Sequence, residues 1–399
     1  MLPSAELLAE LPEEAALLLW QTCRSVHLWG LAGPLPRLFA PGASELRRAR
    51  REGAWLDDEL RAPLALRAGL LENRRVVDVP RVVEACRQVA RWAEGRGKLA
   101  TALAFAQAAA TAEPEDASLA VAVGRFARMR AEYERAESWF EHALVLARLT
   151  RDWQAYAEAF AGLGNLYVQK GSFPKARMYH QRCLRAAKRY SLHEMEGAAL
   201  HNLFAVAVES DSHAEAHGFA DAALSAYRSG NPAILRLAQD VAFRWVARGE
   251  FRPALLVMNE LVSRPEVHSI RHIISGHIAR AAGGLDDGNT FESAWSRVWV
   301  QLEDEGACAG ASSALIGLAY GAISIVEPVR AERALRKALV FATERKESAA
   351  VREADHLLQN VRNGAGVPER AAADSSAAER LADRFQLALR DSRVVAATA

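Results

Sequence analysis

The sequence repeats itself at a spacing of forty residues. Ala136, Ala176 and Ala216 stand in one column, and the pairs Ala143–Leu144, Cys183–Leu184 and Ala223–Leu224 stand in another. Around them recur Ala120, Gly124, Tyr133 and Phe140, then Phe160, Leu163–Gly164, Tyr167, Gly171, Phe173 and His180, then Leu200, Phe204 and Ala220. A period in this range belongs to arrays of one supersecondary unit. Such a unit cannot bury its apolar face alone, so it stacks on its neighbours. Small residues returning at fixed positions mark where two elements approach closely. Gly171 supplies the backbone freedom a tight turn between them needs.

Composition decides what the element is. Of 399 residues 51% are hydrophobic and only 7% aromatic. Most of the apolar share is Ala and Leu, which favour helix, rather than the β-branched and aromatic residues that favour strand. The chain is therefore expected to be all-α. It is too apolar for wholesale disorder and too poor in cysteine for a disulfide scaffold.

The unit from Ala159 to Ala187 (AFAGLGNLYVQKGSFPKARMYHQRCLRAA) resembles the tetratricopeptide repeat. The resemblance implies a right-handed superhelical solenoid of antiparallel helix pairs. Gly164 and Ala176 would be the close-approach points, with Tyr167 and Phe173 filling the wedge. Fainter copies hold Cys86, Ala90, Gly97, Ala102 and Pro114, then Ala242, Trp245, Gly249, Phe251 and Ala254, then Gly276, Gly283, Phe291 and Ala294, then Leu315, Ala319, Ala331 and Leu335. The sixth of these seven units is degenerate, and the first-helix Trp common in the family is missing. A forty-residue spacing is similar to the long-helix type found in polarity adaptors and in peptide-sensing bacterial regulators.

These readings divide the chain into a helical cap at 1–80, a solenoid of about seven helix pairs at 81–345 and a capping helix at 346–363. A polar linker at 364–375 and an amphipathic helix with tail at 376–399 complete it. In the cap, Pro12, Glu13 and Glu14 open a helix that runs toward Gly30. In the last helix, Ser376 and Glu379 have the spacing of a capping box, and Leu381, Phe385, Ala388 and Leu389 share one face. That helix could rest on its own solenoid, occupy the groove or pair with another protein.

Charge narrows the partners. The 50 Lys+Arg residues nearly cancel the 49 Asp+Glu, which argues against a global attraction to nucleic acid or anionic membrane. Two basic runs survive inside that balance, Lys170 to Arg189 and Arg47 to Arg51; the plain expectation for both is a solvated face. Cys23, Cys86, Cys183 and Cys308 form no CxxC pair, and the N-terminus is acidic where an export signal is basic. A cytoplasmic location is expected. No charge occurs between Glu305 and Glu327, but this stretch is mostly Ala, Gly and Ser and lies in phase with the repeat. No membrane span is expected.

No catalytic motif appears: neither a phosphate-binding loop, nor GxSxG, nor HExxH. The pairs His213/His217 and His268/His272 have helical i, i+4 spacing but no third ligand nearby, so neither metal nor cofactor is expected. The resemblance places bound peptides against the first helix of each unit. The matching positions are Arg125 and Arg128, Asn165 and Gln169, His201 and Asn202, and Arg236, Gln239 and Asp240. An Asn amide at position 165 could pair with a donor and an acceptor of a peptide backbone. The chain thus reads as a non-enzymatic scaffold or adaptor for a peptide or helical segment with acidic character facing Arg125, Arg128 and Arg236. A peptide-sensing regulator is the first alternative, although residues 1–80 show no helix-turn-helix pattern. An enzyme with an unrecognised site is the second.

Overall fold

The computed structural model describes residues 6–30, 57–61, 63–65, 78–364 and 376–398. The expected segments 31–56 (with the basic run Arg47 to Arg51) and 365–375 lie outside the described residues. Regular structure among the described residues is entirely helical. The chain forms two compact units, Met1–Asn202 and Leu203–Ala399.

The first unit opens with α1 (Glu6–Ala9) and α2 (Glu13–Gly30), followed by three helix pairs. These are α3 (Val79–Gly95) with α4 (Leu99–Ala112), α5 (Ala117–Met129) with α6 (Tyr133–Thr150), and α7 (Trp153–Gln169) with α8 (Phe173–Arg189). Each helix packs on the next, and α5 also packs on α7. Every first helix begins with an aspartate whose carboxylate accepts backbone N–H groups of the first turn. Asp78 accepts from Arg81 N, Asp116 from Ser118 N at 2.8 Å, and Asp152 from Ala155 N at 3.0 Å. These satisfy donors that a helix start leaves orphaned.

The turn inside each pair is closed by backbone hydrogen bonds instead. Ser172 N donates to Tyr167 O and Gly171 N to Val168 O, both at 2.9 Å, with Gly171 at φ 69°. This is a Schellman closure, which satisfies two terminal carbonyls and reverses the chain in three residues. Ala131 takes the same left-handed place after α5. At the N-terminal end α2 packs on α4, and the Glu10 carboxylate accepts from Ala100 N at 2.7 Å and Thr101 N at 2.8 Å.

The size pattern inside the pairs follows the columns. Phe140 of α6 is wedged against two glycines: a Cβ on Gly124 would stand 2.8 Å from its ring, and one on Gly162 2.5 Å from its Cζ. Forty residues on, Gly164 meets His180 in the same way. Gly164 is therefore a close-approach point, and its neighbour is His180 of α8. Ala176 is fully buried one turn away. Tyr167 stacks on Tyr179, with ring centres 5.4 Å apart, so Tyr179 shares the wedge expected of Tyr167 and Phe173.

The helix α9 (His193–Glu209) contains the boundary between the units. The second unit continues with α10 (His213–Ala226), α11 (Ala233–Arg248), α12 (Phe251–Val262), α13 (Arg271–Gly284), α14 (Gly288–Glu305), α15 (Ala311–Ser324), α16 (Pro328–Glu344) and α17 (Ser348–Arg362). Here α13 and α15 touch backbone to backbone. A Cβ on Gly276 would lie 2.5 Å from Ala314 O, and one on Gly317 2.6 Å from Gly276 O. Gly283 and Gly321 face each other likewise. This contact explains both the degenerate sixth unit and the uncharged stretch before Glu327. The small residues serve helix contact, and Leu315, Leu318 and Ala322 of that stretch are fully buried. No described helix is long and apolar enough to cross a membrane.

The last helix, α18 (Ser376–Thr398), lies on its own unit against α10, α11 and α12. Ala378, Leu381, Ala382, Phe385 and Leu389 are buried there. Arg384 pairs with Asp221, and Arg390 meets Glu260 at 2.8 Å.

Candidate functional site

The first helices of the first unit carry six of the nine candidate groove residues. Side by side, α5 and α7 present Arg125 and Arg128 on one and Asn165 and Gln169 on the other. Arg125 is already engaged. Both its terminal nitrogens donate to the Glu94 carboxylate of α3, one at 3.0 Å, and its guanidinium lies 4.3 Å from the Phe126 ring centre. Arg128 is half-buried, and desolvation together with the Arg125 charge lowers its pKa from the usual guanidinium value. Its Nε has no hydrogen-bond partner among the described residues. The side chains of half-buried Asn165 and exposed Gln169 also make no hydrogen bond or ion pair among the described residues. His201 and Asn202, both half-buried, close the first unit on α9. Arg236 and Asp240, exposed, and Gln239, half-buried, lie on α11 of the second unit.

The basic run Lys170 to Arg189 separates into two kinds of residue. Lys170 meets Glu137 at 3.6 Å and Lys188 meets Glu196 at 3.7 Å. Lys170 and Lys175 also sit over the Tyr167 ring, 5.3 and 4.9 Å from its centre. Arg182, Arg185 and Arg189 instead project from α8 around a cavity of about 520 Å³, joined by Arg148 of α6. None of these four arginines has an acidic partner among the described residues.

Tyr156, Phe160 and Tyr190 supply the aromatic wall of that cavity, and Leu144 and Ala186 close it. The wall belongs to a continuous run of rings. Tyr190 stacks on Trp153 at 4.2 Å with planes 2° apart; Trp153 meets Tyr156 edge-on; Tyr156 meets Phe160 edge-on at 4.8 Å. Phe160 continues to Tyr179, over which Arg182 lies at 5.4 Å. The sequence signal for this cavity is the i, i+3, i+7 spacing of Arg182, Arg185 and Arg189 on one helix face. Tyr190 follows Arg189 directly in the chain, whereas Arg148 comes from α6 and Tyr156 and Phe160 from α7, which no local pattern connects to them.

The two histidine pairs differ: His213 and His217 have other partners, whereas His272 has neighbouring donor groups, against the expectation that neither pair has a third ligand nearby. His217 Nε2 accepts the Trp245 indole N–H at 2.9 Å, which uses the lone pair a metal would need, while His213 pairs with Asp211 at 2.9 Å. His272 stands with Glu305 and Cys308, their ligand atoms within 4.8 Å of one another. His272 Nε2 lies 2.9 Å from Ala309 O, and a carbonyl only accepts, so this nitrogen carries the proton. The side chain is thus held in the tautomer whose free lone pair, on Nδ1, is buried without a hydrogen-bond partner among the described residues.

Residues 115–189, which span α5 to α8, match the family model described as tetratricopeptide repeat. No curated protein sequence matches the chain. Among solved structures, the chain is similar to a Rap protein complexed with competence and sporulation factor, at 11% identity and a TM-score of 0.46, covering 88% of this chain and 99% of that one. It is also similar to BtubC (BKLC) from P. vanneervenii, at 14% identity and a TM-score of 0.45, covering 58% and 94%. A third is pilF of Pseudomonas aeruginosa, at 17% identity and a TM-score of 0.42, covering 57% and 93%.

Proposed function

We propose, from the tetratricopeptide repeats at residues 115–189, that this chain is a non-enzymatic scaffold that holds a peptide or helical segment of a partner protein along its first helices. The observation that carries the reading is the neighbouring presentation of Arg128 on α5 with Asn165 and Gln169 on α7. Three polar side chains there keep hydrogen-bonding capacity unused among the described residues, on two helices that pack together. An Asn or Gln amide offers both a donor and an acceptor to a peptide backbone, and a half-buried guanidinium favours a carboxylate. Arg125 contributes less than its position suggests, because Glu94 neutralises it.

The test compares partner recovery by the wild-type chain with that by Asn165→Ala combined with Arg128→Glu. Co-purified proteins are identified and the strongest is titrated as the purified protein. The double variant is expected to bind it at least about tenfold more weakly, or about 1.4 kcal/mol. Equal affinity, with an unchanged thermal melt, removes the first-helix surface from the reading.

A further inference from the structure

We propose that the cavity between Arg148 and Tyr190 binds a nucleotide, a ligand in which phosphate groups and a planar aromatic ring arrive together. The site is distinct from the first-helix surface, because its arginines stand on the second helices α6 and α8. The inference does not depend on the scaffold reading.

Three features point the same way. The first is unneutralised charge. Elsewhere in the unit Arg87, Arg91, Arg96, Arg125, Arg130 and Arg135 each meet a carboxylate within 3.2 Å. The four guanidiniums at the cavity have no such partner among the described residues, so like charges gather around one hollow and focus its field. Guanidinium forks match phosphate oxygens in geometry. Arg182 and Arg189 are seven residues apart, about 10 Å of helix axis. A chain of two or three phosphates can engage both ends of that row where a single phosphate cannot.

The second feature is the wall. Phe160 is 8% exposed at its base, and Tyr156 and Tyr190 stand above it half-buried. Trp153 backs Tyr190 in a parallel stack, which holds that ring in place before any ligand arrives. Aromatic faces and guanidinium planes both stack on nucleobases. The third feature is size: about 520 Å³ falls within the range of small-ligand cavities. Inorganic phosphate would leave the rings wet, and an uncharged ring would leave the guanidiniums uncompensated. An acidic peptide would satisfy the charges without using the stacked wall.

The experiment is calorimetric titration of the full chain with ATP, ADP, adenosine, inorganic triphosphate, a polyglutamate peptide and single-stranded oligoadenylate. ATP and ADP are expected to saturate one site, with ATP binding at least about tenfold more tightly than adenosine or inorganic triphosphate. Arg182→Ala with Arg189→Ala should weaken ATP by about tenfold or more, and Lys175→Ala should leave it within about twofold. Both arginines are exposed, so the thermal melt serves as the folding control. Absence of saturable ATP binding overturns the proposal, as does triphosphate binding as tightly as ATP. ATP binding that ignores the arginine changes also overturns it. Tighter binding of polyglutamate or oligoadenylate than of ATP would reassign the cavity to a protein or nucleic-acid strand.

Discussion

Gly164 of α7 lies directly against the ring of His180 in α8, so close that a Cβ on Gly164 would stand 2.5 Å from Nδ1. His180 is fully buried, and neither ring nitrogen has a hydrogen-bond partner among the described residues. The third helix pair, α7 with α8, is thus built around a neutral histidine doing the work that Phe140 does in the pair before it.

Gly164→Ala should destabilise the first unit by about 1–3 kcal/mol, because the new methyl would overlap the fully buried His180 ring. His180→Ala should also destabilise, by leaving a hole. Combined, the two changes should cost less than their sum, since the new methyl enters the space the ring vacates. Urea unfolding of the four proteins in the cycle measures the coupling, and strict additivity would contradict the contact.

Burial pushes the His180 pKa down from 6.5 to about 4, and His27, also buried, is lowered to about 4 chiefly for the same reason. The sign follows from linkage. The unfolded chain takes up these protons first, so stability is full above pH 6.5 and falls as pH drops from 6.5 toward 4. His180→Phe removes one such proton and one buried polar ring. It should flatten the decline by on the order of 3 kcal/mol over that window. Chemical unfolding at pH 7, 5.5 and 4.5 checks it; parallel curves for both proteins would refute the assignment.

Val326 holds φ at 61° in the turn after α15 while 84% exposed. A β-branched residue is strained there, and its side chain gains little from packing. Val326→Gly should raise stability by about 1 kcal/mol without altering the fold. A melting temperature at or below wild type would show that the turn tolerates Val.

On α18 the apolar residues should matter more than the ion pairs. Phe385→Ala removes a fully buried ring and should cost about 3–5 kcal/mol of the helix's docking or of the unit's stability. Arg390→Ala breaks an exposed contact with Glu260 and should cost less than about 1 kcal/mol. Hydrogen exchange of the amides in 376–391 reads both effects.

The repeat and its all-helical character were legible because alanine and glycine columns report backbone approach directly. The partners of those columns were harder to see. Gly164 pairs with His180, and in the third copy the large and small residues trade helices: Phe204 and Ala220, both buried, occupy the columns of Gly164 and His180. Matching residue size at a single column misses copies in which the large member changes helix. The state of Arg125 was hidden for a different reason, since Glu94 lies thirty-one residues earlier and on another helix. The cavity at Tyr190 was half legible. Its three helical arginines and Tyr190 are local, while Arg148, Tyr156 and Phe160 are brought to them only by folding.

The glycine contact between α13 and α15 has a mechanical consequence. Side chains normally act as the adjustable shims between helices, shifting rotamers to absorb a small displacement. Where Gly276, Gly283, Gly317 and Gly321 meet backbone atoms directly, there are no shims to shift. These two helices should therefore move as a single stiff beam, and any flexing of the second unit must be taken up at its other joints.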